Sequence, residues 1–189
     1  MIERVRAVLV TPGGCMLAIR RDRPGRATYW VLPGGHVDPA DQSLEAALGR
    51  EIREEVAGEV DIISLLHVLD SGAAEKRQYF YLGRIASWDL AARTGPESSE
   101  PDRGTYQLDQ VPLTTAGLGV IDLQPTAIAG LLRDAIAEGR DLFTLPDLRS
   151  GPAAQMLMVS GSARPSCGTV RPHRSPRPRM PRLPDRDPG

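Results

Sequence analysis

The sequence predicts a mixed α and β fold in one main domain. Several valine- and leucine-rich stretches partly alternate with polar residues, as strands do, and two segments carry apolar residues at helical spacing. A chain of 189 residues is long enough to bury a sizeable core. No apolar run approaches the roughly 20 residues that a spanning helix needs, and no signal-sequence pattern opens the chain. We therefore expect neither a membrane partner nor a leader.

The two ends of the chain differ in charge and composition. Residues 1–159 hold 16 basic and 22 acidic side chains, whereas residues 160–189 hold seven arginines and two aspartates. Arginine and proline dominate after about residue 160, which predicts disorder. We expect a domain over 1–145 and an extension over 146–189, whose basic tail makes no specific nucleic-acid contact. Cys15 and Cys167 are far apart, so we predict no disulfide framework and a cytoplasmic setting.

The order of elements follows from the periodicity of apolar residues and from the positions of glycine and proline. A strand is predicted over 4–11 and returns after the turn at 12–14. The remaining predicted elements are the returning strand 15–20, a helix within 32–58, strands 59–70, 77–86 and 104–113, and a helix over 125–138 that Gly139 ends. In the strand 77–86, Gln78, Phe80 and Leu82 alternate with Tyr79, Tyr81 and Gly83. We expect one of these faces to join the core and the other to line a cleft.

The stretch 32–58, LPGGHVDPADQSLEAALGREIREEVAG, carries the candidate chemistry. It begins with a turn whose two glycines reach backbone angles closed to other residues. In the helix that follows, Glu51, Glu54 and Glu55 fall on one face within one turn. Carboxylates this close raise each other's pKa, and a divalent cation would relieve the repulsion. Oxygen ligands favour Mg²⁺ or Mn²⁺. The alternative is a solvated acidic helix face, which is common in soluble proteins.

This stretch resembles the Nudix box, G-x5-E-x7-R-E-U-x-E-E-x-G-U, in which U is aliphatic. Gly35 matches the leading glycine, and the run Arg50-Glu51-Ile52-Arg53-Glu54-Glu55 matches R-E-U-x-E-E. Three departures accompany the match. The first acidic position holds Asp41, eight residues rather than seven separate Asp41 from Arg50, and Gly58 arrives one residue late. Counting back from Arg50 instead places Gln42 in the acidic position.

The resemblance implies an α/β/α sandwich with a mixed β-sheet over about residues 3 to 140. It also implies Mg²⁺-dependent hydrolysis of the pyrophosphate bond in a nucleoside diphosphate linked to another group. By position, the metal ligands would be Gly35, Glu51, Glu54 and Glu55, and Arg50 would hold a helix carboxylate in place. Glu54, Glu55 and Arg50 would be catalytic, together with an acid from the loop 87–104, where Glu97 is the leading candidate and Glu100 the second.

The sequence indicates the substrate-binding residues less specifically than the metal ligands. Arginines crowd the segment ahead of residues 29–32, and we expect one or two of them to reach a phosphate, with the rest solvated. The substrate-binding candidates are Arg20, Tyr29 and Gly34. ADP-ribose, dinucleotides, nucleotide sugars and nucleoside triphosphates all remain open as substrates, and the resemblance makes a homodimer possible.

Two rival functions remain open. The box departures around Asp41 also suit a Nudix-like module that has lost catalysis and binds a nucleotide or a protein. A second rival is an interaction protein acting through its basic tail, which deletion of residues 160–189 would test.

Overall fold

The computed structural model describes residues 2–71, 76–89, 91 and 105–150. Its centre is a seven-stranded mixed sheet, whose strands are β1 (Ile2–Val10), β2 (Cys15–Asp22), β3 (Tyr29–Val31), β4 (Val60–Ser71), β5 (Lys76–Ile85), β6 (Thr105–Pro112) and β7 (Leu123–Gln124). The strands lie in the order β4-β5-β1-β2-β3-β7, with β6 paired to β2. The helices are α1 (Leu44–Val56), α2 (Thr115–Gly119) and α3 (Thr126–Ala137), followed by a 3-10 turn at Leu142–Thr144.

The sheet has a hydrophobic core on each face. One core joins the sheet to α1 through Leu48, Ile52 and Val56. The other joins it to α2 and α3 through Leu118, Ile128 and Leu132. The architecture is therefore an α/β/α sandwich, as predicted, because the amphipathic helices bury their apolar stripes on opposite faces of one sheet.

Helix α1 has well-defined ends. The Ser43 side chain accepts a hydrogen bond from the Ala46 N–H at 3.0 Å and caps the first turn. Ala57 ends the helix in the left-handed region at φ 46°, and its N–H donates to the Arg53 carbonyl at 3.0 Å. These caps stabilise both ends of the helix that carries the acidic residues.

A cleft opens where β1 and β2 separate. The two strands pair only at Leu9 with Leu17 and at Val10 with Met16. Farther along, β2 pairs with β3 in place of β1, whereas β6 pairs with β2 over its whole length. The freed edge of β1 is filled by residues 33–37, which we call the glycine loop. Its Pro33 and Gly35 carbonyls accept hydrogen bonds from β1 N–H groups at 2.9 and 3.0 Å.

The predicted strands and both predicted helices are present, with bounds shifted by only a few residues. The prediction that one face of β5 lines a cleft is wrong. Phe80 and Leu82 join the α3-side core, whereas Tyr79 and Tyr81 join the α1-side core. Strand β5 lies between β4 and β1 and has a layer of helix on each side, so both of its faces are buried. Helix α2, strand β7 and the 3-10 turn were not predicted.

Packing continues past residue 145. The Leu148 N–H donates to the Leu65 carbonyl, and the Leu65 N–H donates to Asp147 Oδ1, each at 3.0 Å. Arg149 contacts the Ile63 carbonyl and lies 3.5 Å from Glu45 at the start of α1. Glu97, Glu100 and the basic tail lie outside the described residues. No helix among the described ranges is long and apolar enough to cross a membrane.

Candidate active site

The cleft between the separated strands contains the three helix glutamates that the sequence singled out. It encloses about 200 Å³. Acidic side chains of α1 form part of its lining, and arginines of β1 and β2 form another part. The lining residues are Arg4, Arg6, Ile19, Arg21, Val31, Gly34, Gly35, His36, Glu51, Glu54, Glu55 and Tyr106.

The two glycines of the loop lie against β1 and α1 with no room for a side chain. A Cβ on Gly35 would overlap the carboxylate of Glu51. Gly34 has φ +126°, and a Cβ there would overlap the carbonyl oxygen of Val5 in β1. The Gly34 N–H donates to Glu55 Oε2 at 2.7 Å. Two glycines therefore bring the backbone of the loop into contact with two of the three predicted acidic residues.

Arg50 joins the acidic residues of α1 to the loop before the helix. Its Nη1 donates to Glu51 Oε1 at 2.9 Å and to Glu54 Oε2 at 3.3 Å. Its Nε and Nη2 donate to the two oxygens of Asp41 at 3.1 and 2.8 Å. Hydrogen bonds with Arg50 lower the pKa of Asp41, and the same contacts raise the pKa of Arg50. Arg50 thus holds two helix carboxylates, as the resemblance implies.

The three acidic residues face one cleft but point to different partners. Glu51 and Glu54 share the Arg50 guanidinium, whereas Glu55 is directed to the Gly34 N–H. Within the ranges that the structure describes, no group of three or more His, Cys, Asp or Glu side chains is close enough to hold a metal ion. Burial raises the pKa of Glu51, and its hydrogen bond with Arg50 opposes that rise. Glu51 is therefore a half-buried carboxylate whose ionised form depends on nearby cations, of which Arg50 is one.

Arginines of β1 supply positive charge next to the acids. Arg4 Nη2 lies 2.9 Å from His36 Nε2. Arg6 Nη1 donates to the Leu32 carbonyl at 2.7 Å, and its charge acts on Glu51. Neither arginine was predicted as a site residue, because the pairing of the glycine loop with β1 joins segments about 30 residues apart. The only signal in the sequence was a charged residue at alternate positions of an otherwise apolar strand.

Strand β2 places neighbouring arginines differently. Arg21 lines the cleft, and its guanidinium carbon lies 3.6 Å from the centre of the Tyr106 ring. Arg20 does not line the cleft and pairs instead with Asp22 at 3.0 Å. Tyr29 is half-buried in β3 opposite Arg21 and is also absent from the lining. Of the three substrate-binding candidates, Gly34 alone lies in the cleft.

Comparisons with known proteins agree with this architecture. The NUDIX domain family model matches residues 2–115. The CTP pyrophosphohydrolase of Escherichia coli (strain K12) is 40% identical over 62 residues, which make up 33% of this chain and 45% of that protein. The match thus spans less than half the length of that relative.

Solved structures show the same fold. The E. coli ORF135 protein superposes with a TM-score of 0.50 at 23% identity, over 75% of this chain and 94% of that one. The MutT protein from Methanosarcina mazei Go1 superposes with a TM-score of 0.51 at 23% identity, over 74% and 96%. Because the NUDIX domain model matches more than half of its residues, this chain belongs to the Nudix family.

Proposed function

We propose that this chain hydrolyses the pyrophosphate bond of a nucleoside diphosphate linked to another group. Water would attack one phosphorus atom, and the P–O bond to the leaving phosphate group would break. The observation that carries the proposal is the composition of the cleft, where the α1 glutamates and the glycine loop face the same space as Arg4 and Arg6. Such a site has acidic groups for a cation and arginines for phosphate oxygens.

The residues of the cleft fit a hard divalent cation in their chemistry. Glu51, Glu54 and Glu55 offer carboxylate oxygens. Gly35 lines the same cleft, and its carbonyl oxygen, which accepts a hydrogen bond from the Val5 N–H, has a second lone pair that a cation could use. A bound Mg²⁺ or Mn²⁺ would neutralise charge on the phosphate oxygens and lower the pKa of the attacking water. Since Glu55 is directed to the Gly34 N–H, ligation by all three glutamates requires rotation of side chains, which we include in the proposal.

Other side chains would orient the glutamates or neutralise phosphate charge. Arg50 keeps Glu51 and Glu54 oriented, and Asp41 keeps Arg50 oriented. Arg4 and Arg6 would neutralise phosphate charge that builds up during P–O cleavage. A general base is still needed, and Glu97 stays our leading candidate for it. The cytoplasmic setting and the homodimer likewise stay predictions.

The compounds to test are chosen from the proposed chemistry and from the name of one relative. The name of the E. coli relative places CTP among the compounds to test, beside ADP-ribose, NADH and nucleotide sugars. We propose to incubate the full chain with each compound, with and without Mg²⁺ or Mn²⁺, and to identify the phosphate products by ³¹P NMR. Metal-dependent release of a nucleoside monophosphate from at least one compound is expected.

The same experiment addresses the non-catalytic alternative. A module that only binds nucleotides would retain affinity for members of the panel but release no product with either metal. The direction of Glu55 toward the Gly34 N–H is the observation that favours this alternative. Binding without turnover across the panel would overturn the proposed hydrolysis.

A further inference from the structure

Arg21 and Tyr106 form a pair on a part of the cleft wall to which α1 does not contribute. Strands β2 and β6 are antiparallel, and their register places Arg21 directly opposite Tyr106. The guanidinium carbon lies 3.6 Å from the ring centre, which is the distance of a stacked cation–π contact. The aromatic ring therefore restricts the plane of a guanidinium that lines the cleft.

The arginines of the cleft occupy two chemically different places. Arg4 contacts His36, and Arg6 contacts the Leu32 carbonyl and acts on Glu51, so both lie beside the glycine loop and the acidic helix. These two suit phosphate oxygens. Arg21 instead contacts an aromatic side chain of β6. A nucleotide whose pyrophosphate lies at the acidic residues must place its remaining part elsewhere in the cleft, where an aromatic and a planar cation suit a flat base better than a phosphate.

A guanidinium has five N–H donors and no acceptor. Stacking on a ring occupies its face, whereas hydrogen bonds are made in its plane, so a stacked arginine still recognises a partner edge to edge. Its two-pronged partner must present two adjacent acceptors. Guanine does so with O6 and N7, and cytosine with O2 and N3. Uracil has a donor at N3, and adenine has a donor at N6, so each interrupts this pattern.

We propose that Arg21, oriented by Tyr106, determines base specificity and favours cytosine and guanine nucleotides over uracil and adenine nucleotides. The inference rests on the proposed function and deepens it. It predicts that the base preference depends on the planar fork of Arg21 and not merely on its charge. It also separates Arg21 from Arg4 and Arg6, whose contribution should be the same for every base.

The test compares substrates that differ only at the base edge. We would measure kcat/KM of the full chain for CTP against UTP and for GTP against ATP, in the wild type and in Arg21→Lys and Arg21→Gln. Ribose 5-triphosphate, which has no base, reports the pyrophosphate chemistry alone. Equilibrium binding of CMP and UMP gives a readout that needs no turnover. Arg84→Gln is the matched control, because Arg84 stacks on Phe143 at 4.0 Å outside this cleft.

The wild type should prefer CTP and GTP by roughly 10- to 100-fold, the usual range for a two-pronged arginine contact. Arg21→Lys should bring both ratios close to one, with ribose 5-triphosphate turnover within about twofold of wild type. Arg84→Gln should keep the wild-type ratios.

Equal losses on all five substrates, or ratios unchanged in Arg21→Lys, would overturn the assignment of Arg21 while leaving hydrolysis intact. A wild-type preference for UTP or ATP would also overturn the assignment of Arg21. If no triphosphate is hydrolysed, the binding ratio of CMP to UMP decides the inference independently of the proposed reaction. A circular dichroism spectrum of each variant excludes loss of the fold as the cause.

Discussion

Asp41 accepts two hydrogen bonds from Arg50, at 3.1 and 2.8 Å, although it is a shorter side chain than the Nudix box expects at this place. The loop before α1 brings Asp41 close to Arg50. The Asp38 N–H donates to Asp41 Oδ2 at 2.8 Å, and the Asp41 N–H donates to the Asp38 carbonyl at 2.9 Å. This turn directs the Asp41 carboxylate toward α1, so the shorter acid still reaches the guanidinium of Arg50.

Replacing Asp41 should impair the site without removing a group that touches substrate. In Asp41→Asn the guanidinium of Arg50 keeps Glu51 and Glu54, but its partner at position 41 becomes neutral and weaker. We expect a loss of roughly 1–2 kcal/mol in the free energy of unfolding and about a tenfold loss in kcat. Urea unfolding and steady-state kinetics check the two effects. Asp61→Asn, at an exposed position of β4, is the control and should change neither. Wild-type kcat in Asp41→Asn would contradict the role of this pair.

Gly35→Ala tests the contact between the glycine loop and Glu51. The new methyl would overlap the Glu51 carboxylate and force it away from the loop. We expect kcat to fall more than about tenfold, with a modest change in stability, because the displaced group is the end of a side chain. Gly130→Ala in α3 is the control, since nothing lies within 4 Å of its new Cβ. It should raise stability by about 0.5–1 kcal/mol. Full activity in Gly35→Ala would refute the proposed proximity.

Gly34→Ala should damage the fold rather than only the site. Its φ of +126° is unfavourable for alanine, and the methyl would meet the backbone of β1 at Val5, which cannot move aside easily. We expect a loss of more than about 2 kcal/mol. Thermal unfolding of Gly34→Ala and Gly35→Ala side by side measures the difference. Equal stability of the two variants would be inconsistent with this account.

The segment after α3 should respond to acid through Asp147. Hydrogen bonds from Arg149, and then from the Leu65 N–H, hold the pKa of Asp147 at about 2, against an ordinary value of 3.8. A carboxylate with a lowered pKa in the folded state stabilises that state above pH 3.8, and this contribution disappears as the pH falls toward 2.

Asp147→Asn should therefore cost on the order of 1 kcal/mol near neutral pH. Its stability should approach that of the wild type between pH 4 and pH 2, because the wild type then loses the same ionised contact. Urea unfolding at a series of pH values from 7 down to 2 follows the difference between the two proteins. A difference that stays constant over this range would show that the charge of Asp147 contributes nothing to stability.

Local patterns predicted most of the fold. Strand β1 and helix α1 were predictable because apolar residues such as Val5, Leu48 and Ile52 recur at the period of their element. The misjudged face of β5 shows the limit, since alternation in a strand does not report whether one or both faces are covered. Helix α2 has five residues and β7 has two, so neither is long enough to show a period.

The site was predicted only in part, for a geometric reason. The acidic residues and Arg50 lie on one helix, and helical spacing alone places them together. The placement of the cleft arginines depends on the register between segments that are distant in the sequence. Arg20 and Arg21 are adjacent in one strand and therefore point to opposite faces of the sheet, but only the packing of the whole fold determines that the face of Arg21 lines the cleft.

The most direct test of the account is the Mg²⁺ dependence of turnover in Glu55→Gln, measured on the best substrate of the panel. Glutamine keeps the size of the side chain and an acceptor for the Gly34 N–H but removes the negative charge. Glu59→Gln, at an exposed position after α1, is the matched control. We predict a rate reduced by roughly 100-fold or more in Glu55→Gln at saturating Mg²⁺, with an unchanged fold. Near-wild-type turnover of that variant would contradict the proposal that the acidic residues of α1 hold the metal for pyrophosphate hydrolysis.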